Sequence, residues 1–336
     1  MTLPESFQAF RIHHDNDGHH AGRESIGPDD LSSGDVTVRI VYSSVNYKDA
    51  LAGTGQGKIL RQYPLNGGID MAGQVIESRS DRFREGDPVL ATGSGLSETR
   101  DGGYSQYGRF DSRWLVPLPE NMSLRQAMTL GTAGFTAALS LYRLECMGQT
   151  PDLGPVAVTG ATGGVGSIAI DLLTRAGYEA HAISGKLDRF DWLRQLGARQ
   201  CVDRNSLYLG DSPLESSRWG GAIDNAGGSL LSALTRVIHP WGAIAACGMA
   251  GGIRLETTVM PFIIRGVSLL GINSAGCPIE LREELWRRLA DEWRPQHLEE
   301  RILQAEISLK ELPPVFERML AGESLGRTIV HINDHP

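Results

Sequence analysis

The chain has 336 residues, 41% hydrophobic and 21% charged, which suits two ordinary cores and excludes a disordered chain. A formal net charge of −8 repels nucleic acid and anionic membrane surfaces, so an anionic ligand would need a local basic patch. Cys146, Cys201, Cys247 and Cys277 have neither metal-ligand nor redox-motif spacing, so reduced thiols are expected.

The opening MTLPESFQAF lacks a basic stretch followed by an apolar run, and no apolar stretch approaches the roughly 20 residues that span a bilayer. The expectation is a cytoplasmic protein. A strand over 7–12 turns back at Asp17-Gly18 into a hairpin. VTVRIVYSSV (36–45) has the β-branched alternation of a strand, and 69–78 and 87–93 read as further strands. Residues 53–58 and 93–104 are glycine-rich loops of the kind that carry function. His13, His14, His19 and His20 crowd around Asp15 and Asp17; they read as a solvated hairpin tip or as a divalent-metal site.

From Ser123, a plausible N-cap, one long apolar helix is predicted. Strands and helices then alternate: strand 155–159, helix 165–177, strand 179–184, helix 188–197, strand 221–227, helix 229–238, and strands 241–248 and 267–273. This alternation predicts a doubly wound parallel sheet. A helix over 280–293 and a strand over 327–332 follow.

AVTGATGGVGSIA (157–169) places Gly160, Gly163 and Gly166 three apart, between a strand and a helix. Residues without side chains let the backbone approach a pyrophosphate, and the helix start offers N–H groups to it. The next strand ends Ser184-Gly185-Lys186, with Arg189 beyond and no carboxylate at its tip. An acidic residue there would bind a ribose 2′-hydroxyl, whereas Ser184 and Lys186 suit a 2′-phosphate, so NADPH is the expected cofactor. Lys186 and Arg189 as plain surface charges are the other reading.

The motifs SSVNYKDALAGTGQGKILRQYP (43–64), GIDMAGQV (68–75), GTAGFTAALSL (131–141), VTGATGGVGSIA (158–169), GAIDNAGG (221–228), TTVMPFIIRGVSLLGINS (257–274) and GRTIV (326–330) run through nearly the whole chain. Together they resemble the medium-chain dehydrogenase/reductase superfamily, in its zinc-free, quinone-oxidoreductase-like branch and nearest the acrylyl-CoA reductase (NADPH) group. The resemblance implies an α/β fold, a Rossmann doubly wound parallel sheet inserted in a GroES-like β-rich domain. Residues 1–125 with 276–336 would form the GroES-like part and 126–275 the NADPH-binding part, with nicotinamide and substrate in the cleft between them. Where zinc-dependent members carry ligands, this chain has Asn46-Tyr47-Lys48-Asp49 and Gly68-Ile69-Asp70, which implies no metal.

The resemblance further implies hydride transfer from NADPH to the C=C bond of an α,β-unsaturated acyl-CoA, most nearly acrylyl-CoA to propanoyl-CoA. An NADPH:quinone reductase and a nonenzymatic NADPH-binding or sensory protein are the alternatives. Tyr47 is the candidate at the reacting end, as a hydrogen-bond donor or as a residue packing on nicotinamide, with Asn46 and Asp49 orienting it. Thr162, Gly163, Gly164 and Val165 are expected to supply the phosphate loop, and Asn225, Cys247, Gly248, Met249, Ile263, Asn273, Ser274 and Arg327 are expected along the cofactor, Arg327 against a phosphate. Lys58 and Arg61 would receive the phosphates of coenzyme A or remain solvated loop charges, and Asn46 is a further candidate substrate contact. A homodimer paired through the strand near 267–273 is the default.

Overall fold

The computed structural model describes residues 3–333. In chain order the elements are β1 (Phe7–Asp15), β2 (Gly18–Ile26), β3 (Val36–Ser44), α1 (Tyr47–Thr54), β4 (Leu65–Asn66), β5 (Asp70–Ser78), β6 (Pro88–Thr92), β7 (Tyr107–Phe110), β8 (Val116–Pro117) and α2 (Leu124–Cys146). Next come β9 (Val156–Thr159), α3 (Gly164–Arg175), β10 (Ala180–Ser184), α4 (Phe190–Gln195), β11 (Gln200–Asp203), β12 (Trp219–Asp224), α5 (Gly228–Leu234), β13 (Ile238–Ala246), α6 (Met260–Arg265) and β14 (Ser268–Gly271). The chain ends with α7 (Ile279–Ala290), β15 (Leu303–Ile307), α8 (Leu312–Leu320) and β16 (Arg327–His331). These elements group into two compact units, one of the described residues 3–132, 275–290 and 303–333, the other of 133–274 and 291–302.

The first unit is β-rich. One sheet runs β15-β16-β3-β5-β6-β8, with β7 also paired to β3, and a small sheet runs β2-β1-β4. Among the described residues, its named strands pair antiparallel except β15 with β16. The β-branched run of β3 is buried along almost its whole length, because neighbours cover both faces. Val38, Ile40, Met71, Val75 and Phe110 form one core, and Phe10, Ile12, Leu65, Tyr104 and Phe316 another. On α7, Leu285 and Leu289 face inward at helical spacing. Arg282 is buried beside them because its guanidinium donates to Thr92 O (2.9 Å), Thr92 Oγ1 (2.8 Å) and Ala275 O (3.1 Å).

The second unit carries a six-stranded sheet in the order β11-β10-β9-β12-β13-β14, parallel throughout. The chain builds outward from β9 to one side and then from β12 to the other, so the order reverses between β9 and β12. Ligands of such sheets bind beyond the carboxyl ends of the strands at that reversal. Helix α3 follows β9 there and is buried from Gly166 to Leu173.

The predicted α/β fold, a parallel Rossmann sheet with an antiparallel β-rich part, is what the chain forms. Several local expectations change. The hairpin pairs Asp15 with Gly18, so its turn residues are Asn16-Asp17, one residue earlier than expected. The long helix begins as predicted, with Ser123 Oγ accepting from Gln126 N (3.1 Å). It breaks at Gly131, whose φ of 51° and ψ of −155° are not helical. The helix expected over 188–197 is a 3-10 turn followed by the short α4. Helix α1 and strand β11 were not expected at all. Among the described residues no helix is long and apolar enough to cross a membrane.

Candidate active site

In the Rossmann unit the site begins with the turn from β9 into α3. Gly163 is the N-cap of α3 and has no side chain with which to cap the helix. A β-carbon on Gly166 would stand 2.4 Å from Gly160 O, so only glycine lets the helix start lie this close to the turn. Thr162 is buried, and Gly164 and Val165 are the first helical residues. Gly160, Thr162, Gly163, Gly164, Val165 and Gly166 thus form one cradle of backbone at a helix N-terminus, which favours an anion.

The tip of β10 lies on the neighbouring strand. Ser184 Oγ accepts from Lys186 N (3.1 Å), and Ser184 O accepts from Arg204 N (3.0 Å). The Arg204 guanidinium folds over Gly185, with Asn205 Nδ2 close by. Arg204 is exposed and makes no ion pair among the described residues, whereas Arg189 is paired with Asp188 at 3.0 Å. From the sequence, Ser184, Gly185 and Lys186 were expected here with Arg189 just beyond, and Arg204 was not singled out. The available signal was the short strand QCVD (200–203), which returns the chain to this tip.

On the other side of the sheet reversal, the end of β12 is a polar knot. Thr159 Oγ1 donates to Asp224 Oδ1 (2.7 Å), and Gly227 N donates to Asp224 Oδ2 (2.7 Å). Burial raises the Asp224 carboxyl above the usual range. Asn225 was expected at the adenosine ribose, but its amide is already committed. Nδ2 donates to Thr159 O (2.7 Å) and Oδ1 accepts from Cys247 Sγ (3.2 Å). Burial, then the Asp224 charge, pushes the Cys247 thiol up to about 12. Gly248 packs on Asn225, where a β-carbon would meet Asn225 O at 2.2 Å. Met249 and Ile263 are open to solvent, at 67% and 74% exposed. Asn273 is also exposed, and Ser274 Oγ accepts from Thr136 Oγ1 (2.9 Å).

In the β-rich unit, Tyr47 is the first residue of α1 and is 47% exposed. Its N-cap, Asn46, and the third helical residue, Asp49, form a capping box. Asn46 N donates to Asp49 Oδ2 (2.9 Å) and Asn46 Nδ2 donates to Asp70 Oδ2 (2.8 Å). Asn46 is therefore a buried linker, not the substrate contact expected of it. Burial, and then the neighbouring Asp70 charge, pushes the Asp49 carboxyl up to about 7. Arg327 departs from expectation more sharply. It is 3% exposed and donates to Thr129 O (2.9 Å), Val45 O (3.0 Å) and Asn46 Oδ1 (3.2 Å), so it is an internal clamp and not a phosphate contact. Lys58 and Arg61 are exposed on the loop after α1, while Lys48 is paired with Glu98.

The histidines of the β1–β2 hairpin do not form a ligand set. His13 and His20 stack at 4.7 Å, His13 Nε2 lies 3.1 Å from Glu24 Oε1, and His19 Nε2 lies 3.2 Å from Gly53 O. Among the described residues no three His, Cys, Asp or Glu side chains are grouped so as to hold a metal ion.

Residues 32–120 match the alcohol dehydrogenase GroES-like domain, and residues 164–291 match the zinc-binding dehydrogenase family. The chain is 44% identical to "Putative quinone oxidoreductase YhfP" of Bacillus subtilis, over 97% of this chain and 99% of that one. It is likewise 44% identical to acrylyl-CoA reductase AcuI of Ruegeria pomeroyi, over 90% and 92% respectively. The crystal structure of the Salmonella enterica yhdH oxidoreductase in complex with NADP superposes with a TM-score of 0.94 at 42% identity, covering 97% of this chain and all of that one. The B. subtilis yhfP structure with NAD bound gives 0.93 at 44% identity, covering 98% and 100%. The backbone cradle at a helix start on a parallel sheet, the β-rich unit split between both ends of the chain and an identity of 44% over nearly the whole chain agree, and the chain belongs to the medium-chain dehydrogenase/reductase superfamily, in its acrylyl-CoA reductase and quinone-oxidoreductase-like group.

Proposed function

We propose that this protein reduces the C=C bond of an α,β-unsaturated acyl-CoA with NADPH, converting acrylyl-CoA to propanoyl-CoA. The observation that carries the reading is the 44% identity to an acrylyl-CoA reductase over 90% of the chain. The residues present fit the dinucleotide. Gly160, Thr162, Gly163, Gly164, Val165 and Gly166 would hold its diphosphate, at a turn so tight that a β-carbon at position 166 would collide with Gly160 O. Ser184, Gly185 and Lys186, joined by Arg204, would hold the 2′-phosphate. NADPH, when bound, would supply the hydride for the β-carbon of the acyl group, and the α-carbon would take its proton from a side chain or water.

The chain's own residues orient and polarise. Residues 126–275 are assigned to cofactor binding, with Met249, Ile263 and Ser274 on the nicotinamide side. The assignment of residues 1–125 with 276–336 is to the acyl-CoA. There the Tyr47 phenol, exposed at the start of α1, is a hydrogen-bond donor for the negative charge that develops on the thioester oxygen. Lys58 and Arg61 are exposed cations suited to the phosphates of coenzyme A.

The name of the B. subtilis relative favours a second reading, an NADPH:quinone reductase. One NADPH-oxidation assay with acrylyl-CoA, crotonyl-CoA and 1,4-benzoquinone separates the two. The expected order is acrylyl-CoA first in kcat/KM; benzoquinone first would replace the reading. We further propose a cytoplasmic homodimer. Among the described residues the sheet ends on β14 with an unpaired edge, and Ile264 is exposed on the preceding helix. Light scattering at micromolar concentration should give twice the chain mass.

A further inference from the structure

A concentration of buried charge in the β-rich unit has no part in the chemistry above. Asp70, the first residue of β5, is fully buried. Its Oδ2 accepts from Ser44 Oγ (2.6 Å), Asn46 Nδ2 (2.8 Å) and Thr132 N (2.8 Å), and its Oδ1 accepts from Thr132 Oγ1 (2.5 Å). Thr132 follows the break at Gly131, so this carboxylate caps the second half of α2. One residue earlier, Ile69 N donates to Asp49 Oδ1 (2.8 Å). The dipeptide Ile69-Asp70 thus holds Asn46 through its carboxylate and Asp49 through its backbone. Those two residues flank Tyr47-Lys48.

Arg327 closes the far side through Asn46 Oδ1 and Val45 O. Gly131 makes room for the cluster. A β-carbon there would stand 2.6 Å from Asp70 Oδ2, 2.8 Å from Ser44 Oγ and 2.9 Å from Arg327 Nη2. A helix cap alone does not require this arrangement, because Asn, Ser or Thr caps a helix without burying a charge. Burial of a carboxylate is offset only while all its donors stay in place, and that requirement fixes the groups that supply them. Tyr47 is 47% exposed, so the direction in which its side chain leaves the chain is set by the backbone at the start of α1.

We propose that Asp70 is a positioning residue for Tyr47, holding the start of α1 in one geometry by gripping Asn46 while Ile69 grips Asp49. The inference rests on the assignment of Tyr47 to the reacting end, but its first readout does not need activity. Site-specific 3-fluorotyrosine at position 47 of the full chain gives a 19F resonance with and without NADPH. The wild type should show one narrow line. Ser44→Ala removes one donor and leaves the charge, whereas Asp70→Asn removes the charge. Both should shift or split the line, lower kcat about tenfold or more and leave the NADPH Kd, read by cofactor fluorescence, unchanged. In a Tyr47→Phe background Ser44→Ala should then cost nothing further in kcat. If Asp70→Asn fails to fold, Ser44→Ala alone decides. An unchanged line in the folded variant overturns the proposal, as does the same loss of kcat with and without the Tyr47 phenol. A protein that reduces neither acyl-CoA nor quinone overturns the assigned reaction instead, and the resonance still tests the positioning.

Discussion

Arg204 Nη2 lies 3.2 Å from the point where a β-carbon on Gly185 would stand. The guanidinium therefore covers the tip of β10 beside Ser184 and Lys186, as a cation without an ion pair among the described residues. Charge-assisted hydrogen bonds to a phosphate contribute about 1.5–3 kcal/mol, or roughly 10- to 100-fold in affinity. Arg204→Gln should weaken NADPH binding within that range and leave NADH binding unchanged. Titration of cofactor fluorescence measures both. Equal losses for the two cofactors would show that Arg204 shapes the loop without touching the 2′-phosphate. The comparison has force because the 44%-identical B. subtilis relative was crystallised with NAD.

The reach of sequence reasoning follows from the range of the interactions involved. Gly160, Gly163 and Gly166 were legible because a strand, a turn and a helix in immediate succession set their spacing. Ser184-Gly185-Lys186 was legible because it ends an apolar strand. Arg204 was not, since the four residues of β11 carry no apolar alternation and its partner strand lies about twenty residues earlier. Gly131 lies inside the predicted long helix, and no local pattern marks it as a break. It becomes a break only through Asp70, and Thr132 is 62 residues from that carboxylate. Arg327 and Asn46 were assigned outward roles because the distant donors and acceptors that satisfy them are absent from any local pattern.

Gly131→Ala should destabilise the protein by about 2–5 kcal/mol. A left-handed φ costs an L-residue about 1–2 kcal/mol, and overpacking a filled site adds about 1–3 kcal/mol. The new β-carbon would fall within 3 Å of Asp70, Ser44 and Arg327. Gly86→Ala is the control, for it shares a positive φ (94°) and has nothing within 4 Å of its β-carbon. Urea unfolding of both variants separates the backbone cost from the crowding. Equal losses would mean that the polar cluster yields without penalty.

Asp49 links stability to pH. Its carboxyl is pushed up to about 7 in the folded chain, against 3.8 ordinarily. Below about pH 4 the folded and unfolded forms both hold the proton. As pH rises from there to about 7, the unfolded chain releases it while the folded chain keeps it, so stability falls. Above about pH 7 the loss is complete, with an upper bound of about 4 kcal/mol. The urea midpoint of the wild type should therefore decline between pH 5 and pH 8, and Asp49→Asn should flatten that decline whatever its absolute stability. Parallel slopes would remove Asp49 as the source.

The four thiols should react in an order set by burial. Cys146 is exposed at the end of α2, and Cys201 and Cys277 are partly buried with their thiols raised by desolvation. Cys247, pushed up to about 12, also donates to Asp224 O (3.3 Å) and Asn225 Oδ1 (3.2 Å). The thiolate is the nucleophile, and at pH 8 a thiol of that acidity holds only about one part in ten thousand as thiolate. Iodoacetamide followed by mass spectrometry should find Cys146 alkylated first and Cys247 alkylated only in denaturant. Labelling of Cys247 in the folded protein at a rate near that of Cys146 would mean that the end of β13 opens, and that the polar knot of Thr159, Asp224 and Asn225 does not keep the thiol from solvent.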